Sequence, residues 1–284
     1  MVNSDLKLKY EAVKQACNAN AKSDQAGQAI LDLAVTSLDF LKNCIEVSLT
    51  SEVLGKSYIA FQSGNIVSRP ANQEFFLMDS KDVQSLWGNW IKGKADKENF
   101  EKLIYTVALA PCLAIELFDR QNKKGPATFF ECYVSHLFSR AVNVNPTKRA
   151  KLDLGNTKVS MTMDFLFETN DWRVHLPVKM SSRERVVQAW AHQRLLDVVY
   201  ADRPYRGIMV LFSETKLDSR SHEVVEICVP DQWLAYQKLL SRMHRIYYFD
   251  VPDRYLQLAR QFPEDIVIKR FGVFFTEKEE VLRS

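Results

Sequence analysis

Asp164 and Lys179 carry a carboxylate and an ammonium in two neighbouring stretches that alternate between apolar and polar residues. Residues 159–168 (VSMTMDFLFE) set Val159, Met161, Met163, Phe165 and Phe167 against Ser160, Thr162 and Asp164. Residues 172–180 (WRVHLPVKM) set Trp172, Val174, Leu176, Val178 and Met180 against Arg173, His175, Pro177 and Lys179. Such alternation reads as half-buried strand, and Thr169-Asn170-Asp171 between the stretches is a turn signal, which predicts a hairpin. Any turn that puts Asp164 opposite Pro177 or Lys179 leaves the acid and the lysine on one face. Directly opposed Cβ atoms lie ~4.5–5.5 Å apart, and diagonal neighbours stay within reach of a lysine. This pairing suits metal-assisted phosphodiester cleavage. The carboxylate holds Mg²⁺ with one or two other oxygens, and the metal acidifies a bound water and neutralises charge on the phosphorane. The ammonium orients the attacking water and stabilises the developing charge. Taken alone, the pair reads more simply as a cross-strand ion pair on a solvated face.

Two further features add weight. Glu131 sits in PATFFECYVSHLF beside an apolar stripe of Phe130, Val134, Leu137 and Phe138. A carboxylate there is a boundary residue at the rim or a site residue aimed inward, and the first is the commoner case. Beyond the lysine runs Ser181-Ser182-Arg183-Glu184-Arg185, in which Ser181 and Glu184 fit a capping box at a helix start. Arg183 and Arg185 then occupy a first turn whose dipole disfavours cations. They suggest an external anion or base edge as partner. Arginine donates a fork to O6 and N7 of guanine, and a carboxylate accepts from N4 of cytosine, so the triplet can read G·C pairs. A solvated helix start accounts for the triplet equally well in isolation.

The elements that must position these residues follow from hydrophobic period. Residues 1–45 read as helical, with Ile30, Leu33, Ala34, Leu38 and Leu41 as a buried stripe. Residues 45–70 are mixed, with a turn at Ser63-Gly64-Asn65, and helical patterning returns at 81–93 and 98–121. Pro126 suits the first turn of a helix over 126–143. After the hairpin come a helix at 183–199, strands at 207–213 and 223–229, a helix at 231–242 and a strand at 245–249. The pattern predicts a mainly helical N-terminal region, 1–124, and an α/β core, 125–284, with a mixed sheet flanked by helices.

Composition narrows the class. The chain has 284 residues, 46 % hydrophobic and 26 % charged, as in an ordinary globular protein. Its 38 basic and 35 acidic side chains leave a net charge of +3, too slight to argue for nucleic acid without a local constellation. Five scattered cysteines form no C-x-x-C pair, which speaks against a disulfide framework or structural zinc and fits a reducing cytoplasm. The N-terminus has no apolar signal core, and the apolar stretch from Leu103 to Leu113 falls short of the ~20 residues that span a bilayer.

Together, Asp164, Lys179 and the Arg183-Glu184-Arg185 triplet closely resemble the PD-(D/E)XK restriction endonucleases that recognise CCGG, CCNGG or CCWGG. That group combines a metal-binding Asp on one strand, a catalytic Lys on the next, and an Arg-(Asp/Glu)-Arg triplet four residues on that reads CC/GG. It also carries a helix carboxylate some thirty residues before the Asp, where Glu131 stands. The resemblance spans about 125 to 200. It departs at the usual acid two before the lysine, which here is Pro177. CCGG-type members move that acid to the next helix, about thirteen residues past the lysine, where this chain has His192 followed by Gln193. Either side chain can orient water or accept a metal contact, and neither supplies negative charge. A plain structural role for both is as good a reading.

The resemblance implies a PD-(D/E)XK nuclease core and a homodimeric type II restriction enzyme cutting double-stranded DNA with Mg²⁺ at a CC/GG-containing site. Asp164 and Glu131 would hold the metal, with Lys179 and His192 or Gln193 completing the catalytic set. A companion DNA methyltransferase would accompany it in a bacterial or archaeal cytoplasm. Two alternatives are a repair or recombination nuclease of the same fold, and a DNA-binding protein with a degenerate site. Trp87 and Trp90 fit stacking on a flipped base, though tryptophans in helices are more often core. Arg203, Arg206 and Lys216 suit phosphate contacts or ordinary solvated surface.

Overall fold

The N-terminal apolar stripe forms two helices because Ser23 caps the second. Its backbone is extended and its hydroxyl accepts the Ala26 N–H at 3.1 Å, which starts a new helix three residues after the first ends. These are α1 (Val2–Asn20) and α2 (Asp24–Leu41). The expected stripe of Ile30, Leu33, Ala34, Leu38 and Leu41 is the buried face of α2. The structure, a computed structural model, describes residues 2–182 and 186–283. It divides into two units: 1–138 with 215–227, and 139–214 with 228–284.

In the first unit, α2 is followed by an antiparallel sheet of β1 (Ile45–Leu49), β2 (Tyr58–Ser63), β3 (Ile66–Val67) and β4 (Ala71–Asn72), in which β2 pairs with the other three. The Ser63-Gly64-Asn65 signal is the β2–β3 turn, and Gly64 takes the positive φ (59°) that this turn requires. Helices α3 (Ser80–Ile91), α4 (Lys97–Phe118) and α5 (Gly125–Val142) follow, with Pro126 in the first turn of α5. Helix α4 is buried on all sides from Leu103 to Ile115, which explains its continuous apolar run.

The second unit is built on a mixed sheet. Its strands are β5 (Thr147–Asp153), β6 (Lys158–Glu168), β7 (Arg173–His175), β8 (Val178–Lys179) and β9 (Arg206–Leu211), with α6 (Val186–Val199) between the last two. Next in the chain come β10 (Thr215–Leu217) and β11 (Val224–Glu226), which belong to the first unit, pair antiparallel as a ribbon and bridge Ser51 through Val224. The run at 223–229 therefore does not extend the main sheet. Helix α7 (Pro230–Leu239), strand β12 (Met243–Tyr248), helix α8 (Asp253–Gln261), strand β13 (Ile268–Arg270) and helix α9 (Phe274–Arg283) complete the chain. The sheet order is β13-β12-β9-β7-β6-β5, with β8 also on β9. Strands β13, β12, β9, β7 and β8 run parallel, and β6 pairs antiparallel with both β7 and β5. The expected mixed sheet flanked by helices is present.

Helix α6 buries Val186, Ala189, Trp190, Gln193 and Leu196, the three-to-four spacing of a packed face. Trp190 joins Trp233 of α7 and Tyr255 of α8 in a core with Met209, Leu211 and Ile246 of the sheet. The Trp190 indole N–H donates to Gln237 Oε1 at 3.0 Å, and Gln237 bonds both the N–H and the carbonyl of Met243. This satisfied polar bridge fixes α6 and α7 against β12.

Candidate active site

Pro177 shapes the hairpin. Strands β6 and β7 pair antiparallel in the register Leu166↔His175, Phe167↔Val174, Glu168↔Arg173, which places Asp164 across from Pro177. Proline has no N–H to continue the ladder. After the Leu176 N–H bonds the Phe165 carbonyl at 2.9 Å, the chain leaves β6 and continues as β8 alongside β9. The next amide, Val178 N–H, would lose its partner at this divergence. Asp164 supplies one: its Oδ2 accepts from Val178 N at 3.0 Å and from Lys179 Nζ at 2.7 Å.

Asp164 and Lys179 thus form the expected pair, with side chains 25 % and 24 % exposed. Both hydrogen bonds that Asp164 accepts fall on Oδ2, so Oδ1 has no bond to a described residue. One free carboxylate oxygen suits a hard cation that keeps most of its waters. Among the described residues no three His, Cys, Asp or Glu side chains converge as a metal-binding group. Beyond Lys179 the backbone is clamped. The Phe212 and Ser213 amides bond the Lys179 and Met180 carbonyls, and both oxygens of buried Glu214 accept the Ser182 N–H at 2.9 and 3.0 Å. Arg183, Glu184 and Arg185, which follow directly, lie outside the described residues, and with them the capping box expected from Ser181 and Glu184.

His175 joins this face. The register sets it diagonal to Asp164 on the hairpin, and parallel pairing sets it beside Gly207 of β9. Its Nδ1 lies 2.9 Å from Gln193 Oε1 of α6. Gln193 Nε2 donates to the Tyr205 carbonyl at 2.6 Å and to Asp197 Oδ1 at 2.8 Å. Glycine at 207 allows this close approach: a Cβ there would lie 2.8 Å from Gln193 Oε1 and 2.5 Å from Met243 Sδ, so a larger residue would push both side chains aside. Burial pulls the His175 imidazole down to about 4, against a smaller opposite pull from its Gln193 bond and the Asp164 carboxylate. His175 stood in the polar set of its strand, but its partner is brought in by tertiary packing and could not be seen from spacing.

His192 lies one residue before Gln193, flanking the buried face. It is half-buried, 6.3 Å ring to ring from His175, with its Nε2 3.3 Å from Gln188 Nε2. Burial lowers its pKa, and Asp164 and Lys179 act on it with opposite signs. His192 is therefore an electrostatic neighbour of the pair, whereas the Gln193 amide is committed on both ends. Glu131 is on α5, half-buried, in the first unit. Trp87 is buried there, edge-on to Trp90 at 4.9 Å and stacked on His136. Arg203 bonds the Thr169 and Asn170 carbonyls, Arg206 bonds the Val281 carbonyl at 2.9 Å, and Lys216 pairs with Asp218 at 3.6 Å. All three cations have internal partners.

No protein-family model matches the chain, and no curated protein matches it in sequence. Among solved structures it is similar to the crystal structure of the Type IIP restriction endonuclease Kpn2I, with a TM-score of 0.84 and 24 % identity. The match covers 100 % of this chain and 98 % of Kpn2I. The fold is that of Kpn2I. Both units take part in the likeness, so the helical first unit belongs to the shared architecture together with the mixed sheet that carries Asp164, His175 and Lys179. No helix among the described residues is long and apolar enough to cross a membrane.

Proposed function

We propose that the protein is a type II restriction endonuclease that cuts double-stranded DNA with Mg²⁺ at a CC/GG-containing site. The observation that carries this reading is the Asp164–Lys179 pair at 2.7 Å, set on the sheet of a fold shared end to end with a restriction enzyme. Asp164 is the residue that would hold Mg²⁺, through Oδ1. When bound, the cation supplies a pKa-lowered water and charge neutralisation at the phosphate. Lys179 spends one of its three protons on Asp164 and keeps the others for the nucleophile or a phosphate oxygen. His192, at the edge of the pair, takes the place of the helix acid as an uncharged acceptor. Arg183, Glu184 and Arg185 read the base edges in the major groove, delivered by the clamped backbone that follows Lys179. A symmetric target calls for a homodimer, one subunit per strand, and a companion methyltransferase would protect the host's own sites.

A site with so few acids also favours a second reading, a DNA-binding protein that has lost catalysis. Digestion of a mixed-sequence plasmid with Mg²⁺ separates the two. Discrete fragments are expected. A gel shift without cutting would establish the second reading, and structure-dependent nicks would point to a repair nuclease.

A further inference from the structure

Gln193 decides which nitrogen of His175 carries the proton. The Tyr205 carbonyl can only accept, so the Gln193 NH₂ must face it, at 2.6 Å. Gln193 Oε1 is then the atom that meets His175 Nδ1, at 2.9 Å, and Nδ1 must donate. The neutral ring is fixed as the Nδ1–H tautomer, which leaves the lone pair on Nε2. The residue is 1 % exposed overall, and no described residue bonds that nitrogen, so its lone pair is available to a ligand on this face. The ring sits diagonal to Asp164, on the face that also holds Lys179.

We propose that His175 is the second metal-ligating residue of this site, its Nε2 binding the divalent cation that Asp164 holds. This rests on the reading of Asp164 as a metal ligand. Gln193 then acts as the positioning residue that metal-bound histidines need on their other nitrogen. The site becomes a mixed nitrogen–oxygen centre in which His175 supplies the second ligand beside Asp164. An imidazole donor raises affinity for later first-row ions more than for Mg²⁺, so Co²⁺ is a suitable probe.

Co²⁺ alone is added to the full-length protein without DNA, and the proton spectrum is searched for a paramagnetically shifted, solvent-exchangeable imidazole N–H. The wild type should show one such signal, from His175 Nδ1–H. His175→Gln should lose it and weaken Co²⁺ binding by at least the roughly tenfold that loss of an outer-shell partner costs, and His192→Gln should keep it. Gln193→Leu should weaken binding about 10–100-fold. A wild type without the signal, its survival in His175→Gln, or its loss in His192→Gln overturns the proposal. The tautomer is checked without any variant: in ¹⁵N-histidine spectra of the wild type, a proton on Nε2 overturns it as well. Calorimetry on Asp164→Asn separates the two layers. If that variant binds Co²⁺ as tightly as the wild type, the reading of Asp164 fails; if it loses binding while the wild type lacks the signal, only the role of His175 fails.

Discussion

Asp164 Oδ2 serves two donors, fixing the backbone amide after Pro177 and holding the lysine that follows. Asp164→Asn removes the charge but keeps an oxygen for Val178 N–H. Lys179→Ala removes a partly exposed ion pair, worth less than about 1 kcal/mol. Both variants should therefore fold and shift DNA on a gel while losing cleavage; turnover at the wild-type rate would remove the pair from the mechanism. His175 gives a prediction for folding in the presence of chelator. Its folded value of about 4 lies below the unfolded value of 6.5, so the unfolded chain takes up the proton first as pH falls. The stability linked to it is complete above pH 6.5 and is lost as pH drops toward 4, on the order of 3 kcal/mol. His175→Gln should flatten urea midpoints across that window, and an unchanged slope would contradict a neutral buried ring. Asp164 and Lys179 were legible because alternation alone puts them on one face. His175 shared that face, but what singles it out is Gln193 from another element.

The elements show where period and chemistry part. Residues 172–180 alternate without interruption, so they read as one strand, yet Pro177 splits them into β7 and β8 and hands the second piece to β9. Strand β5 escaped notice because Ala150 and Leu152 are its only buried side chains, set among exposed Lys148, Arg149 and Lys151. Helices α8 and α9 and strand β13 lie beyond the last element read from the sequence, in short, charged segments. Gly207 is also silent in sequence. Its lack of a side chain lets Gln193 reach His175, so Gly207→Ala should force Met243 and Gln193 to shift and cost ~1–3 kcal/mol, as overpacking does. Thermal unfolding measures this, and an unchanged midpoint would show that Gln193 is not held in place by that close approach.

At the scale of the whole molecule, a net charge of +3 marks out no DNA-binding face, and the proposed CC/GG readout lies with Arg183 and Arg185. Losing a bidentate Arg–guanine contact should cost ~1–3 kcal/mol of discrimination at that base pair, whereas losing a phosphate contact weakens all sequences alike. Arg183→Ala and Arg185→Ala should lose preference for a CC/GG duplex over one with a single G·C pair changed, while keeping much of their non-specific affinity. A wild-type ratio in both would remove the triplet as reader. The central claim, sequence-specific cleavage of both strands, is tested most directly by sequencing the ends of plasmid fragments produced with Mg²⁺, with Asp164→Asn as the control. Every terminus should fall at one fixed position in a CC/GG-containing site, with the two strands cut symmetrically and no ends in the control; termini scattered over unrelated sequences, or equal cutting by Asp164→Asn, would contradict it.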